Sequence, residues 1–186
     1  MSLRTTARRT MKSTRQRKDA VDEILRQWAR ERPDLDVSPM GIIGRISRIE
    51  KRMDPLITSV FRRFGLERWS FDMLAALRRS GHPYELTPTQ LFSSLMLTSG
   101  AITHRIDELE KVDLVVRAPD PSDRRGIRVK LTDLGLAKIN NAVAAHVENE
   151  RKVLKHLSPK ERLLLASLLR RLLLGLEETS AKEQRG

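Results

Sequence analysis

The chain of 186 residues contains no cysteine. That excludes a disulfide framework, a thiolate zinc site and a switch based on thiol oxidation. Aromatic residues make up only 4% of it, two of them tryptophans. Acids are also in short supply. The 24 Asp plus Glu face 36 Lys plus Arg, a net charge of +12, which goes beyond what solubility needs and favours an anionic partner, most commonly DNA or RNA. No apolar run reaches transmembrane length and the N-terminus lacks a hydrophobic signal core, so no membrane partner is expected and the cytoplasm is the expected location. The histidines, His82, His104, His146 and His156, show no metal-ligand spacing, and no Gly-rich phosphate loop or nucleophile motif occurs. The chain is therefore read as non-enzymatic, with neither metal nor cofactor.

The most informative stretch runs from Thr87 to Leu131. Thr87 before Pro88 supplies an N-cap and a first-turn proline, which predicts a short helix with Leu91 and Leu95 on one face. Thr98-Ser99-Gly100 turns the chain into a second helix over Ser99–Lys111, with Ile102, Ile106 and Leu109 at the i, i+4, i+7 spacing of one buried stripe. Gly100, His104, Asp107 and Lys111 fall opposite that stripe and Thr103 and Arg105 flank it. Small and hydrogen-bonding groups thus face outward, as insertion into a DNA major groove requires. Leu114-Val115-Val116 reads as a strand, and Ile127, Val129 and Leu131, alternating with Arg128 and Lys130, as its partner. The stretch between them, Pro119 to Gly126, reads as too long for a tight hairpin. It puts Arg124 and Arg125 at a loop tip that can reach phosphate or a minor groove, with Asp123 placed to hold one guanidinium.

Helix, turn, TSGAITHRIDELE and then PDPSDRRGIRVKLTDLG, with its DRR and LTxxG elements both present, resemble the winged helix-turn-helix of the MarR family of transcriptional regulators. The resemblance implies a mainly α (α+β) fold in which a winged helix-turn-helix is joined to an N- and C-terminal helical dimerisation region.

The rest of the chain fits around that stretch. The segment from Met1 to Lys18 carries seven positive residues and no acid; it is either an arm that attracts phosphate non-specifically or an unfolded start without a role. Val21, Ile24, Leu25 and Trp28 then mark an amphipathic helix ended by Arg32-Pro33. Ser38-Pro39 opens a long helix with Ile42, Ile46, Ile49, Met53, Leu56, Val60 and Phe64 as its apolar stripe, bent at Pro55 and ended by Gly65. Ser70 caps FDMLAALRRSG, whose core residues are Phe71, Met73, Leu74 and Leu77. Past the wing, Thr132-Asp133 caps a helix towards Leu157 that carries Leu134, Ala137, Val143 and Val147. Ser158-Pro159-Lys160-Glu161 is a capping box for a final helix. Between Leu163 and Leu176 leucines cover far more of its circumference than one core-facing stripe uses, so a second copy of the chain is the expected cover. The run is too short for a membrane span and holds Arg170 and Arg171. Residues after Glu178 read as a frayed tail.

The extra N-terminal helix with QWARERPDLDVSPM is similar to the urate-responsive, PecS-like branch of MarR regulators. That resemblance implies that Trp28, Asp72, Arg105 and Arg117 bind a small anionic aromatic effector, urate being the type. The residues themselves leave other uses open. Trp28 has the spacing of a packing anchor, and Asp72 sits where a helix macrodipole favours a carboxylate. Arg105 can turn outward to a phosphate, and Arg117 can meet a phosphate or pair with Asp120.

The organisation expected is a basic arm over 1–18, N-terminal helices over 19–64, a DNA-binding lobe over 65–132, C-terminal dimerisation helices over 133–178 and a tail over 179–186. The function expected is a regulator, a repressor by preference, that binds double-stranded DNA as a homodimer. Two recognition helices ~34 Å apart call for an inverted-repeat operator. Thr98, Ser99, Thr103 and His104 would meet base edges or nearby phosphates, and Arg124 and Arg125 the backbone or minor groove. Thr98 and Ser99 otherwise only cap the helix, and His104 is otherwise a solvated surface residue. An effector releases DNA only as far as it prefers the DNA-incompetent arrangement. The alternative is an architectural DNA binder without an effector, for which the basic arm speaks.

Overall fold

The computed structural model describes residues 17–95 and 99–183. The chain divides into two compact units, Met1–Arg52 and Met53–Gly186. In the first, α1 (Ala20–Glu31) opens on Asp19, whose side chain accepts from the Val21 and Asp22 amides while Asp22 accepts from the Asp19 amide. It crosses the start of α2 (Ser38–Arg62) where glycines permit close approach: a Cβ on Gly44 would lie 3.6 Å from Val21 and one on Gly41 3.2 Å from Leu25. Arg45 locks the crossing by pairing with Asp19 at 2.9 Å and Asp22 at 2.7 Å. The Asp36 carboxylate accepts from the Ser38 amide at 2.9 Å and so starts α2, which runs on through Pro55. The expected stripe of α2 is largely not buried within the chain. Val60 is buried, but Ile42 is 63% exposed and Ile49 and Leu56 are exposed as well.

The second unit takes the end of α2 and adds α3 (Arg68–Arg79), β1 (Glu85–Leu86), α4 (Pro88–Leu95), α5 (Ser99–Lys111), β2 (Val115–Asp120), β3 (Asp123–Leu131), α6 (Asp133–Val153) and α7 (Pro159–Glu183). The strands form an antiparallel sheet in the order β1-β3-β2. One core joins them. Met73, Leu74 and Leu77 of α3, Leu91 of α4, Ile102, Ile106 and Leu109 of α5, Val115 and Val129 of the sheet and Ile139 of α6 are all buried together. Beside them Phe61 stacks on Phe71 at 4.0 Å, with the His146 ring 5.1 Å from both.

Several expectations need correction. Helix α3 begins at Arg68, not after Ser70. Ser70 lies inside the first turn, where its Oγ accepts from the Glu67 amide and donates to the Glu67 carbonyl, so it is a buried bracket rather than the cap. In α6 the inward residues are Gly135, Ile139 and Ala142, while Leu134 and Val147 of the expected stripe are exposed. Helix α7 continues past Glu178 to Glu183. The wing is tighter than its prolines suggest. Strand β2 carries on through Pro119, which pairs with Ile127, to Asp120 opposite Asp123, leaving only Pro121 and Ser122 as the turn. Proline is tolerated there because β2 is an edge strand. Gly126 fits closely beside the turn: a Cβ there would sit 3.0 Å from the Asp123 Cβ and 3.1 Å from the Asp120 Cβ, so a larger residue would require both to give way slightly.

Asp120 organises that turn. Its Oδ1 accepts from the Ser122 hydroxyl at 2.7 Å and the Ser122 amide at 2.9 Å, and it lies 3.2 Å from Arg128 Nε. These contacts, the Ser122 hydroxyl first, hold the Asp120 carboxyl below its ordinary value. A depressed folded-state value means a contribution to stability that is full above the unfolded carboxylate value of ~3.9 and is lost as pH falls through the folded one. Acid titration by NMR is expected to show the Ser122 amide shifting only below about pH 4. A midpoint at or above that value would show that the turn is not held this way.

Candidate functional site

Helix α5 is built as the sequence suggests. Ile102, Ile106 and Leu109 are each no more than 2% exposed, and they hold its inner face against the core. Ahead of it Thr87 and Gln90 cap α4 reciprocally, Gln90 N to Thr87 Oγ1 at 3.2 Å and Thr87 N to Gln90 Oε1 at 2.8 Å. Thr103, His104 and Lys111 stand exposed on the outward side. Thr98 lies outside the described residues, as do the side chains of Ser99 and Arg124 and the arm over residues 1–16. Arg125 is exposed on the wing, and its amide donates to Asp123 Oδ1 at 3.0 Å. Asp123 therefore shapes the backbone of the tip, a use not foreseen from the sequence.

The far side of α5 meets a cavity of about 350 Å³ lined by Glu67, Arg68, Trp69 and Asp72 of the α3 end, Leu95 of α4 and Arg105 of α5. Arg105 turns towards it. Its guanidinium carbon lies 5.5 Å from the centroid of the Trp69 ring, a cation–π distance. Asp72 is open to solvent on one side, yet desolvation by its neighbours pushes its carboxyl above the ordinary value, against the pull of Arg68, Arg79, His146 and Arg105. The site thus offers a flat aromatic wall, two arginines and two acidic residues in one pocket. Two of the four expected ligand residues, Asp72 and Arg105, are brought together here.

The other two are placed elsewhere. Trp28 belongs to the N-terminal unit, where it is 41% exposed on α1. Arg117 of β2 is held by α5: its guanidinium pairs with Asp107 at 2.5 Å and with Glu110, and its amide donates to Glu110 Oε1 at 3.0 Å. The expected alternative partner, Asp120, is instead taken by Arg128. Sequence reasoning missed Trp69. Taking Ser70 as the cap put Trp69 outside the helix, whereas with Arg68 as the first helical residue Trp69 and Asp72 are i, i+3 neighbours on one face. Among the described residues no group of three or more His, Cys, Asp or Glu is placed to hold a metal ion, and no helix is long and apolar enough to cross a membrane.

Comparison with known proteins fits this geometry. The MarR family profile matches residues 64–126, the span from the end of α2 to the wing tip. Over 151 residues the chain is 44% identical to the HTH-type transcriptional regulator PecS of Dickeya dadantii, an alignment covering 81% of this chain and 91% of PecS. AbsC, a MarR family transcriptional regulator from Streptomyces coelicolor, superposes with a TM-score of 0.69 at 21% identity, over 77% of this chain and 97% of AbsC, and shows the shared fold. A mutant MarR from E. coli complexed with operator DNA gives 0.63 at 25% identity, over 84% of this chain and 99% of that one. These relatives are regulators and not enzymes, in agreement with the non-enzymatic reading. From the identity with PecS over nearly all of that protein, and from a family match that falls on the helix and wing, the chain belongs to the MarR family of winged helix-turn-helix transcriptional regulators.

Proposed function

We propose that this regulator is a repressor that binds an inverted-repeat operator as a homodimer and lets go of it when a small anionic aromatic of urate's kind fills the cavity behind α5. The observation that carries the reading is the cavity wall. Trp69 and Asp72 come from α3 and Arg105 from α5, so a molecule bound there touches the helix that faces DNA from its inner side. A flat ring stacks on Trp69, its anionic edge replaces the aromatic face as partner of the Arg105 guanidinium, and an N–H donates to Asp72. Ligands prefer the arrangement in which Arg105 has left Trp69, and that preference sets how much DNA is released.

Thr103 and His104 are assigned to base edges or nearby phosphates and Arg125 to the backbone or minor groove on their exposure. Thr98, Ser99 and Arg124 are assigned beside them on their positions in the sequence, at the start of the helix and at the wing loop, and Trp28 and Arg117 are assigned to the effector response on the family resemblance. The homodimer is supported by α7, on which Leu163 is 74% and Leu174 51% exposed within the single chain. An apolar patch of that extent marks an association surface.

Titrating urate into a gel-shift assay is expected to release the operator at half-saturating concentrations of roughly 10 μM to 1 mM. Trp69→Ala should raise that concentration about tenfold while leaving operator affinity in the absence of urate unchanged. Failure of urate and of salicylate-like anions to release DNA below about 1 mM would overturn the effector part of the reading.

A further inference from the structure

Helix α5 carries an unfavourable charge pattern for an element that faces phosphate. Asp107, Glu108 and Glu110 all lie in its C-terminal half. Carboxylates there oppose the helix macrodipole and repel DNA. Lys111 answers Glu108 at 2.7 Å, an exposed pair of little energetic consequence. Asp107 and Glu110, one turn apart, are engaged differently. Both reach across to the first wing strand and hold Arg117, Asp107 at 2.5 Å, with Glu110 also accepting from the Arg117 amide at 3.0 Å.

The Arg117 side chain is only 26% exposed, so this pairing is less screened than the neighbouring Lys111–Glu108 pair, in which the lysine is 68% exposed. Arg117 stands opposite the buried Val129 in the β2–β3 register, on the sheet face that packs inward, and three residues before the Asp120 that organises the wing turn. Nothing else on β2 before the tip is tied to α5 by a side-chain hydrogen bond among the described residues.

We propose that Asp107, Glu110 and Arg117 form a clamp that fixes the angle between the recognition helix and the wing, so that both meet the operator as one body. Arg117 is a positioning residue here; its charge is used inside the lobe and not on a phosphate. This rests on the operator-binding reading above and adds to it the residues that set the geometry of the reading head. The clamp trades repulsion for alignment: the two carboxylates weaken attraction to any DNA and strengthen binding to the DNA whose two grooves lie at the fixed angle.

The test is the sign of an effect. In the full-length protein, Asp107→Asn with Glu110→Gln removes two negative charges from the DNA-facing lobe. Simple electrostatics makes binding to every duplex tighter. The clamp predicts instead that operator affinity falls about tenfold while affinity for a scrambled duplex rises, so that the specificity ratio drops by more than tenfold. Arg117→Gln should do the same to the operator without changing the salt slope, whereas loss of a phosphate contact would lower the slope by ~0.9. The reciprocal exchange, Arg117→Glu with Glu110→Arg, should recover most of the operator affinity. Thermal unfolding of each variant identifies lost folding, and the exchange variant then decides the matter through rescue or its absence. Tighter operator binding by the double carboxylate variant, or a reduced salt slope for Arg117→Gln, would overturn the clamp while leaving the operator reading intact. Absence of any operator preference in the unmodified protein would overturn both.

Discussion

Serine in place of Leu165, Leu169 and Leu172 together is expected to leave a folded chain that sediments as a monomer and no longer holds its operator. These leucines share one face of α7, and all three are exposed within the single chain. Covered by a second copy, each contributes about 1.5 kcal/mol of apolar burial, and each substitution counts twice in a symmetric pair, roughly 9 kcal/mol in all. That approaches the whole association energy of a dimer with a nanomolar dissociation constant, about 12 kcal/mol. On the proposed dimeric reading, losing it also removes the two-site engagement that would hold the operator. Because the core of the Met53–Gly186 unit lies among α3, α4, α5, α6 and the sheet, circular dichroism of the variant should stay helical. Sedimentation as a stable dimer would show that α7 is covered by something other than a second copy.

Gly135→Ala is the second large effect, and it acts on the lobe itself. A Cβ at Gly135 would lie 2.0 Å from the Leu114 carbonyl oxygen and 2.9 Å from its carbon. Both are backbone atoms at the entrance to β2, and neither can swing aside. The contact is tight because α6 begins directly on that carbonyl: the Thr132 amide donates to Leu114 O at 3.3 Å, the Thr132 hydroxyl donates to Asp113 O at 2.6 Å, and the Gly135 amide donates to Thr132 Oγ1 at 2.9 Å. Inserting a methyl group forces α6 off the wing and breaks this set together. The expected cost is about 3 kcal/mol, read as a fall in melting temperature of roughly 10 °C at matched protein concentration. A variant within about 0.5 kcal/mol of the parent would show that the helix and strand do not meet this way. The same geometry gives the glycine of the LTxxG element its physical reason.

How much of this was legible in the sequence depended on whether local chemistry and tertiary packing agreed. Helix α5 could be bounded at Ser99 and Lys111 because its three apolar residues sit one turn apart and all three are buried. The Ser158–Glu161 capping box is present as expected, with Ser158 N to Glu161 Oε2 at 2.7 Å. The wing turn was misjudged because Pro119, Pro121 and Gly126 are loop residues by propensity, and only the edge position of β2 lets Pro119 stay in the ladder. Strand β1 escaped notice for a related reason. It has only Glu85 and Leu86, too few for any alternation to show, and it exists because β3 offers a free edge. The cavity was half visible. Asp72 and Arg105 came from resemblance, whereas Trp69 required knowing where α3 starts, which depends on Ser70 being buried.

Arg117 illustrates a different limit. Its sequence position favours a phosphate or a neighbouring acid in the wing, but the partners it finds are Asp107 and Glu110 on another element. Spacing along the chain reports partners within a helix or hairpin, whereas partners between elements depend on packing that periodicity does not encode.

The most direct measurement is the stoichiometry and selectivity of the DNA complex. Native mass spectrometry of the full chain mixed with an inverted-repeat duplex drawn from the DNA beside its gene, and with a scrambled duplex of equal length, reads both at once. Two chains per inverted-repeat duplex, with the scrambled duplex displaced at physiological salt, is the result expected. One chain per duplex, or equal occupancy of the two sequences, would contradict it.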